Sequence, residues 1–151
     1  DFYGGLYQWG EMMQYTTTQG AQGICPPGWY LPTDEEWKQL EGEIDSEYGY
    51  PNPEWDLYDW RGYDVGTHIK STIKWNNNGN GTDLFGFTCL PAGERCIPSG
   101  VFYALNHYSV LWSSSELSSF AWYRLPFKGA PKVCRGPETK LRGFSVRCLK
   151  D

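Results

Sequence analysis

The sequence predicts an α+β domain, on three observations. A strong helix signal lies in the first half, at residues 33–48, and a succession of short strand-like runs punctuated by Gly and Pro fills the second half from Phe85 onward. Helix first and strands later, without βαβ alternation, indicates segregated elements and antiparallel pairing. The third observation is composition: 8 Trp, 11 Tyr and 7 Phe among 151 residues, together with 18 Gly and 10 Pro. Disordered chains lack large apolar groups, and helical bundles need long aliphatic stripes with few Gly or Pro, so both classes are excluded. The length suits one domain spanning residues 1–151.

Taken in order, Gly5 to Trp9 (GLYQW) reads as a short strand and Glu11 to Tyr15 as the start of a helical turn. Pro26, Pro27, Gly28 and Pro32 force GICPPGWYLP to run extended or turning. Thr33 followed by Glu36 forms a capping box. Asp34 and Glu35 suit the positive end of the helix dipole, and Trp37, Leu40 and Ile44 fall on one face, so a helix is expected to end near Tyr48 or Gly49. Residues 49–66 read as an aromatic, acidic loop, Val65 to Ile73 as a second short helix, and WNNNGNGTD as turns. Strand-like runs follow in FGFTCLPAG, SGVFYAL, SVLWSSSE, FAWYRLPF, PKVCRG and LRGFSVRCL.

The formal charge is −5 and no run of basic residues occurs, which argues against nucleic-acid partners and anionic membranes. No apolar run approaches the roughly 20 residues that cross a bilayer, so no membrane insertion is expected, and any targeting segment is expected upstream of the opening DFYGG. The cysteines are Cys25, Cys89, Cys96, Cys134 and Cys148. None shows C-x2-C spacing and only His68 and His107 accompany them, so neither a metal nor another cofactor is expected. Disulfides of an oxidising compartment fit better. A Cys25–Cys148 bridge would close a loop of more than 100 residues, and a hairpin across LPAGER would bring Cys89 and Cys96 into bonding range, leaving Cys134 as the free thiol.

Candidate chemistry is weak. The stretch from Asn76 to Gly81 resembles the start of an EF-hand loop, but its first position is not acidic and Phe87 stands where the bidentate Glu belongs, so a turn is the better reading. Glu54 with Asp56, or Glu94 with Glu116, would serve as carboxylate pairs on paper, but a solvated surface is the better reading. Neither His lies in a motif that would activate Ser113, Ser114, Ser115 or a thiol. No catalytic residue is assigned, and the chain is expected not to be an enzyme.

LYQWGEMM, GICPPGWYLPTDEEWKQLE, GNGTD-x-x-GF, LPAGER, WSSSE, AWYRL and the terminal GFSVRCLKD resemble, in this order, the Fibrobacter succinogenes major paralogous domain family, from Leu6 to Asp151. That resemblance implies a C-type lectin-like fold of the kind shared with formylglycine-generating enzymes. Two short helices would flank small twisted antiparallel sheets with long loops, and apposed termini would bring Cys25 toward Cys148. The oxidase activity is not carried over, because its copper is held by a late cysteine pair, whereas here Cys134 and Cys148 are 14 apart and Cys148 is expected in a disulfide. Calcium-dependent sugar binding is not implied either, since Asn52-Pro53-Glu54 and Trp75-Asn76-Asn77 depart from the lectin motifs.

The chain also resembles the variable proteins of diversity-generating retroelements, several of which end in a segment like FSVRC. They are diversified at adenines of Asn codons, which never yields Lys, Glu, Gln, Trp or Met. Between Tyr103 and Arg142 such residues are Trp112, Glu116, Trp122, Lys128, Lys132, Glu138 and Lys140, a frequency close to that of the preceding chain, and LPFKGAPKVCRGPETKLRG departs from the family's usual composition. The resemblance implies a non-enzymatic domain on a bacterial cell surface or phage particle that binds a protein or glycan receptor. Its face is expected at residues 103–111 and 125–142, with Tyr103, Leu105, Asn106, His107, Tyr108, Phe120, Leu125, Phe127, Cys134, Pro137, Leu141 and Arg142 as contacts. Trp112, Trp122, Phe144 and Val146 are expected beneath it, and Trp9, Trp29, Trp37 and Trp75 in the core. The alternatives are an oxidase relative and a structural module of a secreted surface lipoprotein.

Overall fold

The computed structural model describes residues 2–151. The stretch GLYQW does not form a strand. Tyr7 alone pairs with Phe144, through backbone bonds of 2.8 and 3.0 Å, and the chain turns at once into helix α1 (Trp9–Met12). Gln14 and Tyr15 then adopt left-handed backbone, which ends the helix after one turn. Beyond the Pro-Pro-Gly turn, strand β1 (Trp29–Tyr30) leads into helix α2 (Asp34–Ile44), which opens on the expected capping box. There the Glu36 amide donates to Thr33 Oγ1 (3.2 Å) and the Thr33 amide to Glu36 Oε2 (2.8 Å).

Helix α2 stops at Ile44, one turn earlier than the apolar spacing suggested, because Asp45 captures backbone donors of its own. Its Oδ1 accepts from the amides of Glu47 and Tyr48, and its Oδ2 from those of Tyr63, Asp64 and Val65. Burial pushes this carboxyl up, but the amide donors outweigh burial and hold it below its usual range. Residue Asp45 thus ends one helix and ties down the start of the next, α3 (Val65–Ile69). Between them lie a 3-10 turn (Pro53–Asp56), which buries Trp55, and strand β2 (Asp59–Arg61).

The remaining strands are β3 (Glu94–Arg95), β4 (Phe102–Tyr103), β5 (Leu111–Leu117), β6 (Phe120–Pro126), β7 (Val133–Thr139) and β8 (Leu149–Lys150). The run FGFTCLPAG forms no strand, only isolated bridges from Cys89 to Lys70 and from Gly93 to Ser109, and LRGFSVRCL likewise stays outside the strands apart from Leu149, its Gly143, Phe144 and Ser145 making single bridges. The main sheet is antiparallel with order β2-β7-β6-β5, while β1 pairs with β8 and β3 with β4. Pro137 is accommodated inside β7 because β2 pairs only with Val133 to Arg135 and leaves the edge beside Pro137 open.

A register shift in β5 between Trp112 and Glu116 releases Ser113, Ser114 and Ser115 from the ladder. These serines hold the N-terminal third in place. Ser114 Oγ meets the carbonyls of Leu31 and Pro32 at 3.1 Å, Ser115 Oγ accepts from the Asp34 amide at 2.9 Å, and Trp9 Nε1 donates to the Ser113 carbonyl at 2.9 Å.

The pleat gives the main sheet two different faces. Ala121, Tyr123 and Leu125 of β6 point toward a core of Trp9, Met12, Met13, Leu31, Trp112 and Phe144. On the opposite face Arg124, Arg135 and Arg61 meet α2 in a buried ionic network. Glu41 accepts from Arg61 (2.5 and 3.1 Å) and Arg124 (3.0 Å), and Asp34 from Arg124 (2.8 Å) and Arg135 (2.6 and 3.1 Å). Burial lowers the pKa of Arg61 despite Glu41 beside it. Trp29 is exposed on β1 and Trp122 and Val146 are half-buried, unlike the buried positions expected of them, whereas Trp9, Trp37, Trp75, Trp112 and Phe144 are core.

The Cys25–Cys148 disulfide is present, joining positions 123 residues apart. The second expected pair is not. Cys89, Cys96 and Cys134 are all free thiols, because Cys89 is buried beside Lys70 while Cys96 opens the link between β3 and β4. Burial pushes the Cys89 thiol up to about 12, which makes it inert.

A candidate binding surface

The hairpin β3–β4 is the most exposed apolar feature of the expected face. The Cys96 amide donates to the Val101 carbonyl and the Gly100 amide to the Cys96 carbonyl, both at 2.9 Å, which closes the turn. Val101 (57%), Phe102 (71%), Tyr103 (62%) and Leu105 (51%) then project outward. The base of the hairpin is held tightly. A Cβ on Gly93, whose φ is +70°, would collide with the Tyr103 carbonyl, so only glycine fits there. Ala104 and Asn106 take left-handed φ of 60° and 66°, which turns the chain between the exposed side chains.

Asn106 and His107 are half-buried and pinned. Asn106 Oδ1 accepts from the Tyr3 hydroxyl at 2.5 Å, and Asn76 Nδ2 lies 3.2 Å from His107 Nε2. Next to them Phe127 bridges to Tyr108, the Lys128 amide donates to the His107 carbonyl at 2.9 Å, and the Phe127 ring meets exposed Trp60 edge-on at 6.3 Å. Tyr103, Leu105, Asn106, His107 and Phe127 therefore form one strip, which Trp60 and the hairpin tip extend.

The other expected contacts do not join that strip. Tyr108 is half-buried against the core and donates to Glu94 at 2.7 Å, and burial followed by that bond raises its pKa. Leu125 packs on the same core. Cys134 lies opposite Leu125 in the ladder and is buried, its thiol raised by burial, with Tyr123 and Asp59 as neighbours. As a ligand contact Cys134 is therefore a correction: the pleat turns it inward. Phe120 is exposed at the β5–β6 turn and Pro137 pairs with Trp122 toward that end of the sheet, both on the opposite side of the pleat from Leu125. Exposed Leu141 lies beside Gln8, and Arg142 is engaged by Glu94 (2.7 Å) and Glu138 (3.4 Å).

Three exposed contributors were missed from sequence: Val101, Phe102 and Trp60. The first two precede the expected face by one or two residues, and their place in the strand-like run SGVFYAL was the available signal. Trp60 arrives on β2, distant in sequence, which no local pattern announces.

No curated protein and no solved structure matches the chain. The model of the Fibrobacter succinogenes major domain matches residues 1–150, and the chain belongs to that family.

Proposed function

We propose that this domain is a non-catalytic receptor-binding module of C-type lectin-like fold, displayed on a bacterial cell surface or phage particle, that takes a protein or glycan receptor on the strip from Val101 to His107 with Phe127 and Trp60. The observation that carries this reading is the group of exposed apolar side chains on a braced hairpin, projecting alternately from its two sides. Rigid aromatics offer contact area at low entropic cost. Antiparallel pairing of β1 with β8 and short helices beside small sheets support the fold, and the Cys25–Cys148 bond supports an oxidising location. Diversification, in this reading, is confined to exposed positions, since Ala121, Arg124, Val133 and Arg135 are buried inside the same window.

Binding of the fluorescently labelled chain to bacterial cells, before and after periodate or protease treatment of those cells, tests the proposal. The double variant Phe102→Ser, Tyr103→Ser is expected to lose binding at an unchanged melting temperature. Equal binding by the variant would overturn the reading. Sister sequences should vary at exposed positions of residues 101–142 and hold the buried arginines constant. The oxidase alternative lacks a free late cysteine pair, since Cys148 is bonded to Cys25 and Cys134 is enclosed. Copper-dependent oxygen consumption with a cysteine peptide is expected to be absent.

A further inference from the structure

A second site lies away from that strip, in the last strand-like segment. Residues Phe144, Val146 and Cys148 pack on the first core, so by alternation Ser145, Arg147 and Leu149 face the other way. There the Arg147 guanidinium stacks 4.6 Å over the Phe87 ring and makes no ion pair with any of the described residues. Arg147 and Phe87 line both of two adjoining hollows, which meet at them. On one side is a recess of about 80 Å³ lined by Ser109, Ser145, Thr88 and Tyr3. On the other is an open groove of about 500 Å³ lined by Leu40, Ile44, Phe85 and Leu149, with exposed Glu43 on its rim.

One buried hydroxyl in this place lacks the partner that burial normally demands, and one half-buried cation beside it lacks a counter-ion. Ser145 is nine-tenths buried, lines the recess, and its hydroxyl has no hydrogen-bond partner. Arg147 offers a planar fork of donors that the ring beneath it holds in orientation. The buried arginines of the main sheet are satisfied by Glu41 and Asp34, whereas Arg147, outside that sheet, lines the recess with the orphan Ser145 hydroxyl.

We propose that this is a binding site for a monoanionic carboxylate bearing an apolar body, with the carboxylate on Arg147 and Ser145 and the apolar part along Leu40, Leu149 and Phe87. Charge complementarity selects the class. One unpaired cation matches one negative charge, and the Glu43 rim disfavours a dianion such as phosphate. The apolar groove is of ordinary small-ligand size.

Titration of the isotope-labelled chain with 3-phenylpropanoate, followed by amide chemical shifts, tests it. Saturable shifts are expected at Phe87, Ser145, Arg147 and Leu149. The uncharged 3-phenylpropanol and inorganic phosphate should each bind about tenfold more weakly or worse, the scale of one charge-assisted contact. Arg147→Gln should weaken the acid by at least about tenfold and Ser145→Ala by less, with melting temperatures unchanged. Shifts that map elsewhere, equal affinity for acid and alcohol, equal affinity for phosphate, or an unaffected Arg147→Gln variant would each overturn the proposal. If Arg147→Gln does not fold, the acid-versus-alcohol comparison on the native chain decides the matter.

Discussion

Asp34 sets how the fold responds to acid. Burial pushes its carboxyl up, but the hydrogen bonds and charges of Arg135 and Arg124 outweigh burial and hold it at about 2, against 3.8 when free. A carboxyl lowered by folding stabilises the native state above its unfolded pKa, and that contribution disappears as pH falls from about 4 through about 2. The stability at stake is about 2 kcal/mol, by the rule of about 1.4 kcal/mol per unit. Chemical denaturation at stepped pH should show this loss, and the Asp34→Asn variant, less stable at neutral pH, should show a flatter acid limb. At the cysteines the expectation is asymmetric. A bond across 123 residues contributes roughly 4 to 5 kcal/mol in the chain-entropy treatment. Cys25→Ser or Cys148→Ser should therefore lower the melting temperature far more than Cys96→Ser, and equal losses would contradict the pairing seen.

Among the elements, α2 shows most clearly what local sequence can and cannot announce. Its start was legible because a capping box is written in four consecutive residues, and Thr33→Ala should cost about 1 kcal/mol, read by denaturant titration. Its end was not, because the donors that Asp45 captures include amides from Tyr63 to Val65, some 20 residues on. Nor was its buried charge. Asp34 and Glu41 look in sequence like a solvated helix face, and only the arrival of Arg61, Arg124 and Arg135 from the sheet makes them interior groups. Replacing Glu41 by Gln leaves two buried guanidiniums undercompensated. The expected cost is about 3 to 5 kcal/mol, or a melting temperature lower by about 10 °C. An unchanged transition would show that the carbonyl acceptors of Trp55 and Asp34 suffice.

Across the whole molecule, β4 to β7 were legible from alternation and punctuation, whereas FGFTCLPAG and most of LRGFSVRCL form only isolated bridges, and the long-range consequences of the alternation were not legible. The expected contact residues were chosen as a stretch of sequence, whereas a pleated sheet distributes any stretch over two faces. Tyr103, His107 and Phe127 stay on the surface strip, while Leu125 and Cys134 turn inward. The hydroxyl run of Ser113 to Ser115, ambiguous in sequence, proves to be an anchor for segments some 80 to 100 residues away.

The covalent link between Cys25 and Cys148 also defines how the molecule bears tension. A chain held at its two ends transmits load through that bond, so everything between the two cysteines is shielded from extension. Within residues 1–151, the segments before Cys25 and after Cys148 are the ones that can be drawn out, a slack of roughly 90 Å at the usual span per residue. Reduction would place the 123-residue interval in series and lengthen the stretched chain by roughly 400 Å. A single-molecule pulling trace with and without reductant should show those two lengths, and with them a domain whose hairpin keeps its shape while its tether is under strain.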